Sequence, residues 1–296
     1  MSATQNSSSY VTRELAATVL LGRGAFGAAG YDTLTVANLR MAATLSKMGS
    51  PGFDSAEIRI YGLTQSVMNQ LSTLGVPLPM ARLNTVQLSA GDSASGLSVI
   101  YQGNIQNAWQ NLDGVPETFL QIVAYAGYFD AIAPIPPTSF KGNADVATIM
   151  AGMAARMGRA FENNGVQVKL SNPYFAGTAV QQAQACAKAA DIELYDDGLT
   201  LAIWPKWSTR GGAVPLISPE SGLIGYPRYT SQGMEFRCLF NPNIKLGGVI
   251  QMKSSIQPAC GTWYVNKLTY DLSSRLPGGP WFCDVGTVRM PYQLVP

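Results

Sequence analysis

Residues 261–290 read "GTWYVNKLTYDLSSRLPGGPWFCDVGTVRM". Thr262 to Leu272 and Trp281 to Met290 have the texture of strands. Leu276-Pro277-Gly278-Gly279-Pro280 between them supplies the backbone angles that a reversal needs, so the stretch is a hairpin. An earlier stretch has the same build. Leu97 to Ile105 and Thr118 to Tyr125 flank Asn111-Leu112-Asp113-Gly114, whose Asp-Gly pair marks a tight turn. Tyr101 and Tyr264 stand 163 positions apart, and so do Ile105 and Leu268, Phe119 and Phe282, and Ile122 and Val285. The economical reading is an antiparallel β-module that occurs twice.

The rest of the chain fits around the two copies. Leu39, Met41, Ala43 and Leu45 alternate with smaller or polar residues, as do Glu57 to Tyr61, which predicts strands. Thr64 predicts an N-cap for a short helix carrying Val67, Met68, Leu71 and Leu74, with Gly75 at its stop. Thr85 to Ala90 reads as a strand. Ala133 to Ser139 ("APIPPTS") is a proline-rich boundary. Beyond it, Asn143 is the predicted cap of a helix with Val146, Ile149, Met150, Met153 and Met157 on its apolar side. A strand at 165–170, an alanine-rich helix from Thr178 to Ala190 and a hairpin at 191–205 complete a small α+β unit. "STRGGAVP" (208–215) ends it. Strands resume, with Met234, Phe236 and Cys238 on one face and Val249 to Met252 after them. The expected fold is mainly β with an α+β insertion. Residues 1–134 form a first β-domain with a flexible N-terminal arm, 135–210 the insertion and 211–296 the second β-domain.

Composition narrows the function. Of 296 residues 47% are hydrophobic and only 13% charged, against about 25% charged in ordinary domains. Interface centres are poor in charge, so an assembly subunit fits; a monomer with a Ser/Thr/Asn/Gln-rich surface is the plainer reading. The net charge is +2 and Lys/Arg residues are scattered, which lacks the footprint of sustained nucleic-acid binding. No apolar run reaches the roughly 20 residues that span a bilayer, so no membrane anchor is expected. The polar N-terminus, "MSATQNSSSY", lacks the basic start of a secretion signal. Cys186, Cys238, Cys260 and Cys283 form no CxxC pair and read as free buried thiols, with disulfides the minority reading.

The chain contains no histidine. That removes imidazole general bases, Ser-His-Asp and Cys-His machinery and every His-containing zinc site. Asp191, Glu193, Asp196 and Asp197 form the densest acidic group, with Asp191 and Glu193 on one strand face, but Asp196-Asp197-Gly198 reads as a turn rather than a metal or glycosidase site. Gly22 to Gly27 lacks the Lys-Ser/Thr ending of a phosphate loop and reads as a flexible loop. No catalytic residue, metal or cofactor is expected.

"SPESGLIGYPRYTSQGMEFRCLFNPNIKLGGVIQMKSS" (218–255) followed by 261–290 resembles the C-terminal part of phage baseplate hub proteins, the T4, Mu and late-control-protein group of contractile tails. "AEIRIYGLTQSVMNQLS" (56–72) is similar to their strand-helix unit, and "YFAGTAVQQAQACAKAADIELYDDGLTLAIWP" (174–205) to their inserted unit. The resemblance implies two tail-tube-like antiparallel β-barrels in one chain, with a small α+β domain between them. It implies a non-enzymatic homotrimer of pseudo-sixfold symmetry. That ring would join the hexameric tail tube or its initiator proteins to the central trimeric spike. It would touch other baseplate proteins and the tape measure, and pass DNA transiently through its lumen. The setting is the virion's tail baseplate, assembled in the host cytoplasm. A hub of a tailocin-type injection machine and a tail-associated cell-wall hydrolase are the alternatives.

Rings of β-modules join through exposed edges or hairpins. The candidate joining arms are Asn111, Leu112, Asp113 and Gly114, and Pro277, Gly278 and Gly279; ordinary solvent loops are the other reading. Trp204 and Trp207 are candidate interface anchors, or else a cover for the small unit's core.

Overall fold

The computed structural model describes residues 11–26, 30–72 and 83–289. Seven strands come first: β1 (Arg13–Leu20), β2 (Thr33–Ala37), β3 (Met41–Lys47), β4 (Ser55–Tyr61), β5 (Thr85–Asp92), β6 (Gly96–Asn111) and β7 (Phe119–Tyr125). Helix α1 (Gln65–Leu71) follows β4, and α2 (Tyr128–Ile132) follows β7. The middle of the chain holds β8 (Thr138–Ser139), β9 (Asn143–Asp145), α3 (Val146–Arg156), β10 (Ala160–Asn163), β11 (Lys169–Ser171), β12 (Tyr174–Phe175), α4 (Ala179–Ala190), β13 (Ile192–Asp196) and β14 (Thr200–Pro205). The chain then returns to strands: β15 (Leu216–Ile217), β16 (Leu223–Tyr229), β17 (Gly233–Leu239), β18 (Val249–Met252), β19 (Gly261–Ser274) and β20 (Trp281–Val288).

The mainly β class with an α+β insertion is the fold adopted. The two strand-rich stretches are joined in one sheet, in the order β16-β17-β20-β19-β3-β4-β7-β6-β5-β1-β2, with β18 beside β19 and β15 beside β18. The order contains a repeat. β16-β17-β20-β19 is one four-strand unit and β3-β4-β7-β6 is the other. They meet at an antiparallel seam where Leu268 to Ser274 of β19 pair with Lys47 to Met41 of β3.

Register identifies equivalent residues. Ile122 of β7 and Val285 of β20 lie opposite Ile58 of β4 and Phe236 of β17, so the spacing of 163 holds for β7 and β20. It does not hold for β6 and β19. Both carry a bulge, after Ile105 and after Val265, facing Ala124 and Thr287. The structural spacing there is 160 (265 − 105), so Ile105 matches Val265 and not Leu268, and Tyr101 does not match Tyr264. Between equivalent pairs the second hairpin has three residues more, Asp271 to Phe282 against Asn111 to Phe119, and a constant spacing read along the chain absorbs that difference into the strand before the turn.

Alternation builds the core. Met41, Ala43 and Leu45, then Ala56, Ile58 and Ile60, then Met234, Phe236 and Cys238 are all buried while their neighbours face outward. Each large apolar side chain so buried contributes on the order of 1.5–3 kcal/mol. One apolar cluster runs through both β units. A second, separate cluster lies between α3, α4 and β14.

Local details depart from expectation at several places. The α3 cap is Asp145, whose carboxylate accepts from Thr148 N at 3.0 Å; Asn143 lies in β9. Of the predicted 165–170 strand only Lys169 and Leu170 are paired, as part of β11 against β9. Asp191 is not on a strand face: it caps α4 in a left-handed conformation (φ 51°) and pairs with Lys206. Cys260 is exposed, whereas the other three cysteines are buried and free. Thr64 caps α1 as expected, and Thr178 forms a capping box with Gln181 on α4. Leu74 and Gly75, the N-terminal arm to Tyr10, Gly27 and Met290 lie outside the described residues.

Candidate assembly surfaces

Strand β14 is a wall between the two cores. Leu201 and Ile203 point into the α+β cluster, while Ala202 and Trp204 point into the β cluster. Trp204 is 4% exposed, so it is a core residue and not a surface anchor. Gly247 makes room for it: a Cβ there would stand 2.6 Å from the indole, and its φ of +78° favours glycine. Trp207 stands in the loop after β14 and is 56% exposed.

Two charge clusters fasten the α+β unit to the sheet. Asp54 is fully buried; it pairs with Lys47 at 3.0 Å and accepts from the Tyr195 hydroxyl at 2.6 Å and from Met48 N at 2.8 Å. Burial pushes its carboxyl above the ordinary range, against the opposing charge of Lys47. Next to it Arg210, itself buried, binds Glu162 at 2.8 Å and lies 3.7 Å from Asp197, with its guanidinium over the Tyr195 ring. Burial raises Glu162, but the hydrogen bonds and charge of Arg210 outweigh it and hold the carboxyl below its usual range. Lys47, Glu162, Tyr195, Asp197 and Arg210 line a cleft of about 240 Å³ where the three parts of the chain meet. Arg159 forms the second cluster, with Asp130 at 2.9 Å and Asp196 at 3.0 Å. Asp197 closes the Asp-Gly turn by accepting from Leu199 N and Thr200 N. Asp191, Asp196 and Asp197 are thus spent on turns and ion pairs, and no metal-holding cluster of His, Cys, Asp or Glu is found among the described residues.

The outer face of the sheet carries the same arrangement twice. Glu57 and Arg59 on β4 face Val123 and Gln121 on β7, and Glu235 and Arg237 on β17 face Gly286 and Asp284 on β20. Arg59 bonds Glu57 and Gln121 and lies 5.9 Å from the Phe119 ring. Arg237 binds Asp284 through two bonds of 2.7 Å and lies 5.4 Å from the Phe282 ring. The recurring "EIR" and "EFR" were readable in the sequence, but their spacing of 178 (235 − 57) differs from that of the hairpins. Beside the second patch, Tyr226, Arg228, Lys267 and Thr269 help to line a groove of about 660 Å³.

At one end of the main sheet β16 pairs only with β17 among the described residues, and at the other β2 pairs only with β1. β6 pairs with β5 up to Asn104 and with β7 as far as Asn111, and its Gln110 side chain bonds Gln65 and Asn69 of α1. Exposed apolar side chains gather at two places: Ile224, Tyr226, Tyr229 and Leu239 on β16 and beside it, and Trp109, Leu112 and Val115 at the end of β6 and in the loop after it. Asn111 to Gly114 lie at the tip of the β6–β7 hairpin, where Asn111 Oδ1 accepts from Asp113 N, and Arg40 pairs with Glu117 across the loop. In the second loop Gly279 is the packed residue: Gly279 N bonds Leu276 O, and a Cβ on Gly279 would collide with Ser273. Pro277 and Gly278 beside it are exposed, so both loops present an exposed tip.

The family model described as baseplate hub gp41 matches residues 17–281. The chain belongs to the baseplate hub gp41 family. It is a structural phage tail component, and among its described residues no helix is long and apolar enough to cross a membrane. No curated relative matches its sequence. Solved structures share its fold. The 43 kDa tail protein of prophage MuSo2 from Shewanella oneidensis is 9% identical with a TM-score of 0.58, over 94% of this chain and 97% of that one. The tail protein from Neisseria meningitidis MC58 is 9% identical with a TM-score of 0.60, over 93% and 96%. The Escherichia coli c3393 protein, a type VI secretion component described as similar to T4 tail proteins gp27 and gp5, is 8% identical with a TM-score of 0.55, over 84% and 73%.

Proposed function

We propose that three copies of this chain form a pseudo-sixfold ring that joins the tail tube to the central spike and leaves a passage for DNA. The observation that carries this reading is the doubled four-strand unit. A threefold ring of such chains offers six near-equivalent units to a sixfold tube and keeps threefold symmetry for the spike. The low charge content and the exposed apolar edges suit burial between subunits. Under this reading the inserted unit, clamped by Arg210 and Arg159, braces the ring, and Trp207 and the Asn111–Gly114 tip lie on contact surfaces. The division at 1–134, 135–210 and 211–296 is kept as the organisation of tube-like, inserted and tube-like parts, with the two tube-like parts sharing one core. Likeness to the type VI component favours a second reading, a hub of a phage-derived injection machine, which would use the same ring without DNA.

Complementation tests the role. Lysates of the phage lacking this chain should contain no tubes attached to spike-bearing baseplates, and supplying the chain should restore them. Complete tails formed in its absence would overturn the proposal. Peptidoglycan turnover by the purified chain, abolished by a single Asp or Glu substitution, would favour a hydrolase instead.

A further inference from the structure

The second four-strand unit holds two thiols opposite each other. Cys238 on β17 and Cys283 on β20 are direct cross-strand partners. Both are buried, and neither is bridged. The ladder bonds fix their level. Leu239 N donates to Gly222 O on the β16 side, and Phe240 N donates to Trp281 O on the β20 side. Alternation then puts Cys238 and Cys283 at a hydrogen-bonded level of the β17–β20 ladder, where opposed Cα atoms stand about 5.5 Å apart. Bridged cysteines most often have Cα atoms about 5.5–6 Å apart. The two side chains enter the same core. Burial, and after it a hydrogen bond with Cys238, holds the Cys283 thiol well above its ordinary pKa.

Packing alone does not ask for sulfur at this place. The register that matches Ile58 with Phe236 and Ile122 with Val285 also matches Ile60 with Cys238 and Leu120 with Cys283. Ile60 and Leu120 face each other across β4 and β7, and both are fully buried. One unit thus fills the site with two aliphatic side chains and the other with two thiols. A buried cysteine packs as a small apolar group, and its chemistry is what sets it apart. The other two cysteines lie elsewhere. Cys186 belongs to the α+β core, and Cys260 is exposed and donates to Ser254 O.

We infer that Cys238 and Cys283 are a disulfide-forming pair, free thiols in the reduced chain and a β17–β20 cross-link after oxidation by a peroxide. One of the two thiols, once ionised, attacks the peroxide; the O–O bond breaks, leaving a sulfenic acid and releasing water. The second thiol displaces that hydroxyl as another water, and the S–S bond forms. Two thiols are oxidised and one peroxide is reduced, with no further reactant. Burial keeps the thiolate scarce, so the closed fold reacts slowly and exposed Cys260 is oxidised first. The link closes a loop from 238 to 283 that contains β18 and β19, the strand that pairs with β3 in the seam. It ties the second unit and leaves the first, with Ile60 and Leu120 at the same place, unlinked.

Thiol mapping tests the pair in the unsubstituted full chain. Hydrogen peroxide is added to the folded protein until Cys260 is oxidised, then removed, and the remaining thiols are alkylated in denaturant before digestion with trypsin. Peptides 238–245 and 276–289 should be recovered linked to each other, several-fold more than any other cysteine pair, and dithiothreitol should release them. The same oxidation in urea should give several-fold less of this link, because the unfolded chain no longer opposes the two thiols. Cys238 and Cys283 recovered as alkylated thiols, or as separate sulfinic acids, overturn the inference. A link that forms equally well in urea overturns it too.

Discussion

The Tyr101 hydroxyl is sealed in the β core without a hydrogen-bond partner among the described residues, and burial drives its ionisation far above the usual phenol range. An unpaired buried hydroxyl costs about 1–3 kcal/mol. Tyr101→Phe should therefore stabilise the chain by about 1 kcal/mol in chemical denaturation; a loss of stability would reveal a partner for the hydroxyl. The Arg210 cluster behaves in the opposite way. Arg210→Ala strands Glu162 and Asp197 and should lower stability by about 3 kcal/mol. Its pH dependence has a definite sign. Glu162 is held below its ordinary range, so its contribution is full above the ordinary carboxylate pKa and is lost as pH falls through the lowered value. Asp54 is raised, so its burial penalty shrinks as pH falls past its own value. Glu162→Gln should flatten the acid-side fall in melting temperature; an unchanged pH profile would remove Glu162 from the account. None of these groups was legible as a cluster in the sequence, because Asp54, Glu162, Tyr195 and Arg210 come from distant segments and meet only when the α+β unit docks.

At the scale of elements the sequence was more informative. Period-two alternation revealed most of the strands of both β units, since each has one face in the core and one outside. Turn chemistry placed the hairpins at Asp113-Gly114, Asp197-Gly198 and Gly278-Gly279. Two things were hidden. Leu223 and Pro227 of β16 point inward with three exposed residues between them, a bulged pattern with no period of two, so this strand and its edge showed only once register was known. Trp204 was ambiguous because β14 is buried on both faces, which erases the alternation that would reveal its direction. The edge can be probed directly. Ile224→Lys with Tyr229→Lys places two charges on exposed positions of β16, a change that blocks edge pairing. The melting temperature of the single chain should move little, while assembly of the ring should fall sharply. Normal assembly of this variant would exclude β16 as a joining edge.

For the whole molecule, the two β units are nearly the same object with different neighbours. The β3 unit continues the sheet of the β19 unit within one chain, and in the proposed ring the two kinds of unit alternate. Glu57, Arg59 and Phe119 on one unit, and Glu235, Arg237 and Phe282 on the other, would then appear six times around the ring at matching positions. The decisive measurement is a cryo-EM map of the hub within its baseplate. It should show three chains whose six four-strand units alternate around one ring. A ring of any other copy number, or three chains whose four-strand units do not alternate around it, would contradict it.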